Sequence, residues 1–429
     1  MRILLLILIV VFSLSCENKK KSKTVHGFSK DKLNNIDSYA QSLIENNELP
    51  GVVVMVKKGD DLIYFKGFGY SDAEKEKKID KKAIFRIASI TKTITAFGIL
   101  KLMEDGKINL DDEIGKYIPE FNDLNIYTGM DSITGSYITR PAINKITIRD
   151  LLKHRSGLGY GPYTSNASNT FYSKMYTQFF KDSLINLYTT KNVSLKNNIK
   201  NMAKIPLVNE PGTLFTYSWS YEVLGRLIEI VSQKSLNTFF NETFFVPLEM
   251  ENTSFYVNKD KSKLLVPVLT NKNGYWTNYK SASFDINYPI KGAKTYFSGG
   301  AGLNGTILDY SNFLTMVVNK GRFKQKRILK KETVLLIQTI YKLNTIQGIA
   351  HIKDEMSHGI ASGMTVRNKN DDSLKEIKIL FWSGMFGCSY FINPKDKTIL
   401  LVFKQVHDLK NIVDYDDVFQ NIILDASIN

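Results

Sequence analysis

Apolar residues recur along this chain with two different periods, and the places where the period changes divide it. In SKDKLNNIDSYAQSLIEN, residues 29–46, Leu33, Ile36, Ala40 and Leu43 fall three or four apart, which predicts a one-faced helix. GVVVMVKKGDDLIYFKGFGY then gives two strand runs around Lys58-Gly59-Asp60, the pattern of a hairpin. The helical period returns after Ser89 through Ile90, Ile94, Phe97 and Leu100, and stops near Asp105-Gly106. From 107 to 255 short helical stretches alternate with loops rich in Asn, Ser and Thr, and TYSWSYEVLGRLIEIVS at 216–232 is the clearest amphipathic helix. Beyond 350 strand patterns reappear in HGIASGMTV, IKILFWSG and CSYFINPKDKTILLVFKQ, and YDDVFQNIILDAS closes the chain as a helix. Strands at both ends and helices in the middle predict one sheet assembled from distant segments. Residues 29–106 and 256–429 would form an α/β domain, and 107–255 an inserted, mostly helical subdomain. There is no internal repeat.

The first residues do not fit that scheme. MRILLLILIVVFSLSC has one Arg, an apolar run, small residues and then Cys16. This is an export signal, short for a spanning helix. It resembles the bacterial lipoprotein signal, although Ser13 stands where an aliphatic residue is usual. The expectation is removal of residues 1–15, lipidation of Cys16 and a flexible charged tether over 16–28. That would anchor the protein to a membrane of the cell envelope, with the side left open. The other cysteine, Cys388, has no second partner, so stability must come from the core.

With 429 residues and 43% hydrophobic content the chain can bury a large core. Its net charge of +15 favours anionic surfaces. The basic residues are dispersed, however, and no zinc-finger spacing or RNP-like aromatic run accompanies them, so nucleic acid is not an expected partner. The five histidines form no HExxH or comparable set, and no metal is expected. SGGAGLNG and GMFG are glycine-rich but do not follow the phosphate-loop pattern, so no nucleotide or other cofactor is expected.

Three segments could carry chemistry. Ser89 and Lys92 lie three apart at a helix start, hence on one face, where a serine hydroxyl could meet a base or a fixed positive charge. Tyr217, in PGTLFTYSW, stands where loop becomes helix; a phenolate beside an ammonium can accept a proton. FWSGMFGC, residues 381–388, is a strand broken by glycines, which points to close backbone approach. Each also has a structural reading: a capping serine with a solvated lysine, a buried tyrosine, a strand bend.

Taken together and in order, FRIASITKTITAFGILKLMEDGKINLDDEIGKYIPEF, ITIRDLLKHRSGLG, PGTLFTYSWSYEVLGRLIEIVS, SGGAGLNGTILDYSNFLTMVVNKGR and FWSGMFGCSYFINPKDK resemble the serine β-lactamase and penicillin-binding-protein family, in its class C and esterase branch. The resemblance implies an α/β fold, an antiparallel sheet flanked by helices with an inserted helical subdomain, and a cleft between the two. It implies that Ser89 is acylated, that Lys92 and Tyr217 share the base and acid roles in an order left open, and that the Ser89 and Met385 N–H groups form the oxyanion hole. Substrate contacts would come from Ser218, Trp219, Trp382, Ser383 and Gly384. His154 and Gly157, in the second of these stretches, read as structural. The departures matter. The family's second motif is commonly Tyr-x-Asn, here Tyr217-Ser218-Trp219; its third is commonly Lys-Thr-Gly, here Trp382-Ser383-Gly384. The amide and the cation that suit an acylamino carboxylate substrate are both missing, whereas Tyr-Ser-x and Trp-x-Gly motifs occur in the esterase members. The expected activity is carboxylic-ester hydrolysis through an acyl-enzyme, on a small ester or amide. The alternatives are a β-lactamase or D,D-peptidase-like hydrolase, and a non-catalytic surface module. No GxSxG elbow supports an ordinary α/β-hydrolase.

Overall fold

The computed structural model describes residues 24–131, 133–160, 188–281, 284–338, 346–347, 356–360, 363–367, 377–407 and 412–428. The expected export signal, Cys16 and the tether before Thr24 lie outside the described residues.

The first predicted helix is split at Asn34: one turn at Lys30–Leu33 precedes α1 (Asn35–Glu45), and Leu33, Ile36, Ala40 and Leu43 are all buried. β1 (Gly51–Lys58) and β2 (Asp61–Gly69) form the hairpin, turning at Gly59 in the left-handed region. Ser89 does not open the next helix. It belongs to a 3-10 turn, Ala88–Ile90, and α2 (Thr91–Glu104) follows it. α2 is buried on nearly every face, which explains why its sequence is apolar throughout its central turns. Within the stretch expected to be mostly helical, β3 (Asn125–Met130) and β4 (Tyr137–Pro141) form an antiparallel hairpin whose mixed polarity gives no strand pattern. α3 (Ile148–Leu152) is only five residues long, yet Thr147 and Asp150 close a reciprocal capping box at its start. α4 (Ser220–Ser232) begins later than the apolar pattern suggested, because Phe215–Thr216 is extended.

After α5 (Ile307–Val318) come β5 (Met356–His358), β6 (Gly363–Arg367), β7 (Ile377–Ser383), β8 (Ser389–Asn393), β9 (Thr398–Phe403) and α6 (Ile412–Ala426). Seven strands make one sheet in the order β5-β6-β7-β8-β9-β1-β2, with every neighbouring pair antiparallel. The N-terminal hairpin and the C-terminal strands thus meet at the β9–β1 pair, where Val54 opposes Val402. Side chains alternate along these strands. Val52, Val54, Val56, Leu400 and Val402 join Ile36, Leu43 and Phe419 in one core, under α1 and α6. Val53, Met55, Ile399, Leu401 and Phe403 face the other way, into the larger core with Phe97, Phe313 and Leu314 of α2 and α5. Burying both faces of β1 and β9 removes these strands wholly from water, at about 1.5–3 kcal/mol for each large side chain. The helices and loops on the larger-core side carry the site.

Candidate active site

The turn holding Ser89 is pressed against the end of β7. Ala88 has φ 47°. That region costs a non-glycine residue about 1–3 kcal/mol, so packing must hold it there. A Cβ at Gly384 would fall 2.4 Å from the Ile87 carbonyl oxygen and 3.1 Å from Ala88 Cβ, so only glycine lets the strand end approach the turn this closely. Beyond it, Gly384 N–H donates to the Cys388 carbonyl and Gly387 N–H to the Gly384 carbonyl, both at 2.8 Å. Among the described residues the Met385 N–H has no acceptor. Ser89 is half-buried, and Ser383 and Met385 are exposed.

Lys92, in the first turn of α2, is 2% exposed. Its Nζ donates to Ser89 Oγ at 3.3 Å and to the Gly300 carbonyl at 2.8 Å, and it lies 4.8 Å from the Tyr217 ring centroid and 5.5 Å from that of Tyr160. The glycine-rich stretch SGGAG makes this possible. The Gly299 carbonyl accepts from Thr95 Oγ1 of α2 at 2.6 Å, and a Cβ at Gly299 would lie 2.5 Å from the Tyr221 carbonyl oxygen of α4. The segment is a bare backbone wedged between two helices, which aims a carbonyl at the lysine.

Tyr217 is half-buried between the Phe215–Thr216 strand and α4. Its ring is backed by His154 at 4.6 Å, Tyr160 at 5.1 Å and Trp382 at 5.8 Å between centroids. His154 is fully buried, and its Nδ1 accepts the Ser218 N–H at 3.2 Å, which places the ring proton on Nε2. Burial first, then His358 and the Lys92 charge, push this imidazole well below its ordinary range, so it is a neutral wall behind the phenol. His358 packs 5.6 Å from His154 and 5.3 Å from Trp382.

Of the residues singled out in the sequence, Ser89, Lys92, Tyr217, Trp382 and Gly384 meet here. Two expected substrate contacts are placed elsewhere. Ser218 is fully buried, its hydroxyl 2.7 Å from Ser220 Oγ and 3.3 Å from His154 Nδ1, so it serves the packing beneath Tyr217. Trp219 is 4% exposed and stacks on Tyr160 at 4.8 Å. Trp382 is 8% exposed, more a backing for Tyr217 and His358 than an open wall. Sequence reasoning missed Tyr160, Gly300, His358 and Glu222. Glu222 is a buried carboxylate on α4 whose Oε1 accepts from Ser298 Oγ at 2.6 Å and Gly300 N–H at 2.8 Å, and whose Oε2 accepts from Tyr296 Oη at 2.8 Å. An acid in the first turn of a helix ordinarily reads as a partner of the helix dipole, so nothing marked it. Among the described residues no group of three or more His, Cys, Asp or Glu is arranged to hold a metal.

An antiparallel sheet with this order, a serine–lysine turn under its β7 end and a tyrosine from the helical side define a protein of the β-lactamase fold. The description of the Beta-lactamase family matches residues 36–418, and the chain belongs to that family of serine hydrolases, whose chemistry runs through an acyl-enzyme. It is similar to Protein Rv1367c of Mycobacterium tuberculosis, 28% identical over 371 residues that cover 83% of this chain and 86% of that one. Among solved structures it resembles EstCE1, described as a hydrolase with promiscuous acyltransferase activity, at TM-score 0.75 and 21% identity over 91% of this chain and 98% of that one. It also resembles unliganded simvastatin synthase (LovD) from Aspergillus terreus, at TM-score 0.74 and 19% identity over 92% and 98% of the two chains.

Proposed function

We propose that the protein hydrolyses carboxylic esters through an acyl group carried on Ser89. The observation that carries the reading is the position of Lys92 Nζ, between Ser89 Oγ at 3.3 Å and the Tyr217 ring at 4.8 Å, with the uncharged Trp382 behind them. Lys92 as an ammonium favours a phenolate at Tyr217, which takes the Ser89 proton as Oγ attacks the ester carbonyl carbon. The Ser89 and Met385 N–H groups receive the developing oxyanion; such a donor is worth about 3–4 kcal/mol. The C–O bond to the alcohol breaks as Tyr217 returns the proton to the leaving oxygen. Water, deprotonated by the same phenolate, attacks the acyl carbon; the bond to Ser89 Oγ breaks as Tyr217 passes the proton to that oxygen, which releases the acid and restores both groups.

The ester preference rests on the same place. A carboxylate-bearing β-lactam or peptide finds no cation at Trp382 and no amide at Trp219. The test is a panel of short and long acyl esters, a chromogenic cephalosporin and a D-alanyl peptide, run with and without an added alcohol acceptor against a Ser89→Ala control. Ester turnover that vanishes in S89A is expected. Faster cephalosporin or peptide hydrolysis would replace the ester reading, and dominant acyl transfer to the alcohol would make it a transferase. For location, we propose export with lipidation at Cys16; C16A should move the protein from the membrane to the soluble fraction.

A further inference from the structure

Beneath the serine–lysine pair lies a carboxylate that this mechanism does not use. Glu222 is 1% exposed, and all three of its hydrogen bonds come from donors: Ser298 Oγ, Tyr296 Oη and Gly300 N–H. The Tyr296 hydroxyl itself accepts from Asn198 Nδ2 at 2.8 Å, which leaves its own proton for Glu222, and a peptide N–H can only donate. This donor set suits an ionised carboxylate. Burial pushes the carboxyl up, while Ser298, Tyr296, Gly300 and the Lys92 charge pull it back. Gly300 is the link: its N–H is held by Glu222 and its carbonyl holds Lys92 Nζ at 2.8 Å. A Cβ at 300 would lie 2.7 Å from Glu222 Oε1 and 3.6 Å from Lys92 Nζ, so this residue fills the space between the two charges. Among the described residues Lys92 makes no direct ion pair.

Resting on the reading of the site given above, we propose that Glu222 is a positioning residue for the reaction: through the Gly300 peptide it fixes Lys92 beside Ser89, and its negative charge keeps that lysine an ammonium. The other titratable groups around the pair are Tyr217 and Tyr160 against the lysine, His154 behind Tyr217, and Tyr296 and Tyr288 near the carboxylate. In the proposed reaction the Tyr217 phenolate loses its charge each time it takes the Ser89 proton, and the other groups are neutral, so the negative charge that persists through the cycle is that of Glu222.

The consequence is directional. Glu222→Gln keeps the shape and an oxygen for Gly300 N–H but removes the charge. Lys92 should then lose its proton at a lower pH than in the wild-type protein, by about one pH unit or more, the usual effect of one nearby opposite charge. With the ammonium no longer secured, the alkaline limb of kcat/KM should move down by a similar amount, and kcat/KM at the alkaline end should fall about tenfold with KM little changed. Tyr296→Phe, which removes one donor and no charge, should shift both in the same direction by less.

The experiment follows the Lys92 side-chain signal by NMR across pH in full-length protein with isotope-labelled lysine, assigned by loss in Lys92→Arg, for wild type, E222Q and Y296F. Ester kinetics and fluorophosphonate labelling of Ser89 are measured on the same samples. A lower Lys92 midpoint in E222Q, matched by the shifted alkaline limb, is the expected result. An unchanged midpoint in folded E222Q overturns the proposal even if the enzyme turns over; should E222Q not fold, an unchanged midpoint in Y296F does so. A shifted midpoint in a protein whose Ser89 neither labels nor turns over leaves the Glu222–Lys92 coupling standing and removes the hydrolase reading instead.

Discussion

A lysine that is 2% exposed and still donates to a serine hydroxyl costs desolvation that a surface lysine would not. Here the Gly300 carbonyl and two aromatic faces offset that cost and hold Nζ beside Ser89. Tyr217→Phe should therefore keep the melting temperature, because the ring and its contacts with His154 and Trp382 remain. It should lose about 10²–10⁴-fold in kcat, the usual worth of a general acid–base group. Lys92→Ala should lose at least as much. Steady-state ester kinetics with a melting curve check both, and wild-type turnover in Y217F would remove the phenol from the mechanism. Trp382 gives a different expectation than its motif alone. An indole 8% exposed, packed on Tyr217 and His358, leaves a cavity when truncated. Trp382→Ala should cost about 3–5 kcal/mol in denaturant unfolding and lower kcat on every ester alike. Intact stability with a changed acyl-length preference would mean that the ring faces substrate after all.

At the level of elements, the site depends on two backbones coming closer than side chains allow. Gly384→Ala puts a methyl 2.4 Å from the Ile87 carbonyl oxygen, so either the 3-10 turn or the end of β7 must move. Because that turn carries Ser89, the expected loss is greater in acylation than in stability: fluorophosphonate labelling slowed more than tenfold, as about 1 Å of misplacement would do, with unfolding changed by about 1–3 kcal/mol. How much of this was legible follows the same line. Ser89, Lys92, Tyr217 and the glycines of FWSGMFGC could be picked out because motif order survives in sequence. β1 and β9 were visible too, as continuous apolar runs, since both faces of each are buried. Their pairing was not, because Val54 and Val402 are joined only by the fold. The 3-10 turn was hidden as well: Ala88 in a left-handed conformation looks like any helical alanine. Glu222 was hidden because an acid in the first turn of an amphipathic helix reads as a solvated partner of the helix dipole, whereas here that whole turn is buried. SGGAG was visible as glycine-rich, but its purpose, a carbonyl aimed at Lys92, exists only once α2 and α4 close on it.

Across the whole molecule, two buried arrangements couple stability to pH, and they do so with opposite sign. Asp416 of α6 is buried against Lys404, just past β9, and burial raises its carboxyl while Lys404 opposes the rise. Glu222 is likewise raised. As pH falls these acids take up protons in the folded state before the unfolded one, which favours folding. The histidines behave the other way. His358 is fully buried by its surroundings and is pushed from 6.5 down to about 4, with burial the main cause, and His154 is depressed as well. In the unfolded chain both bind a proton near the ordinary value. Between that pH and the folded value the unfolded state holds more protons, so stability falls as pH falls. For His358 this contribution is complete above 6.5 and is lost progressively down to about 4, on the order of 3 kcal/mol in all. The absolute stability curve mixes both signs, so the useful quantity is a difference. His358→Gln removes one titrating group and keeps a polar side chain of similar reach. Wild type should exceed H358Q in unfolding free energy by a margin that is constant above pH 6.5 and shrinks steadily towards pH 4. Urea unfolding of both proteins at closely spaced pH values measures that margin. A margin that stays flat across the window would show that His358 protonates as easily folded as unfolded, and that the aromatic wall behind Tyr217 is open to water.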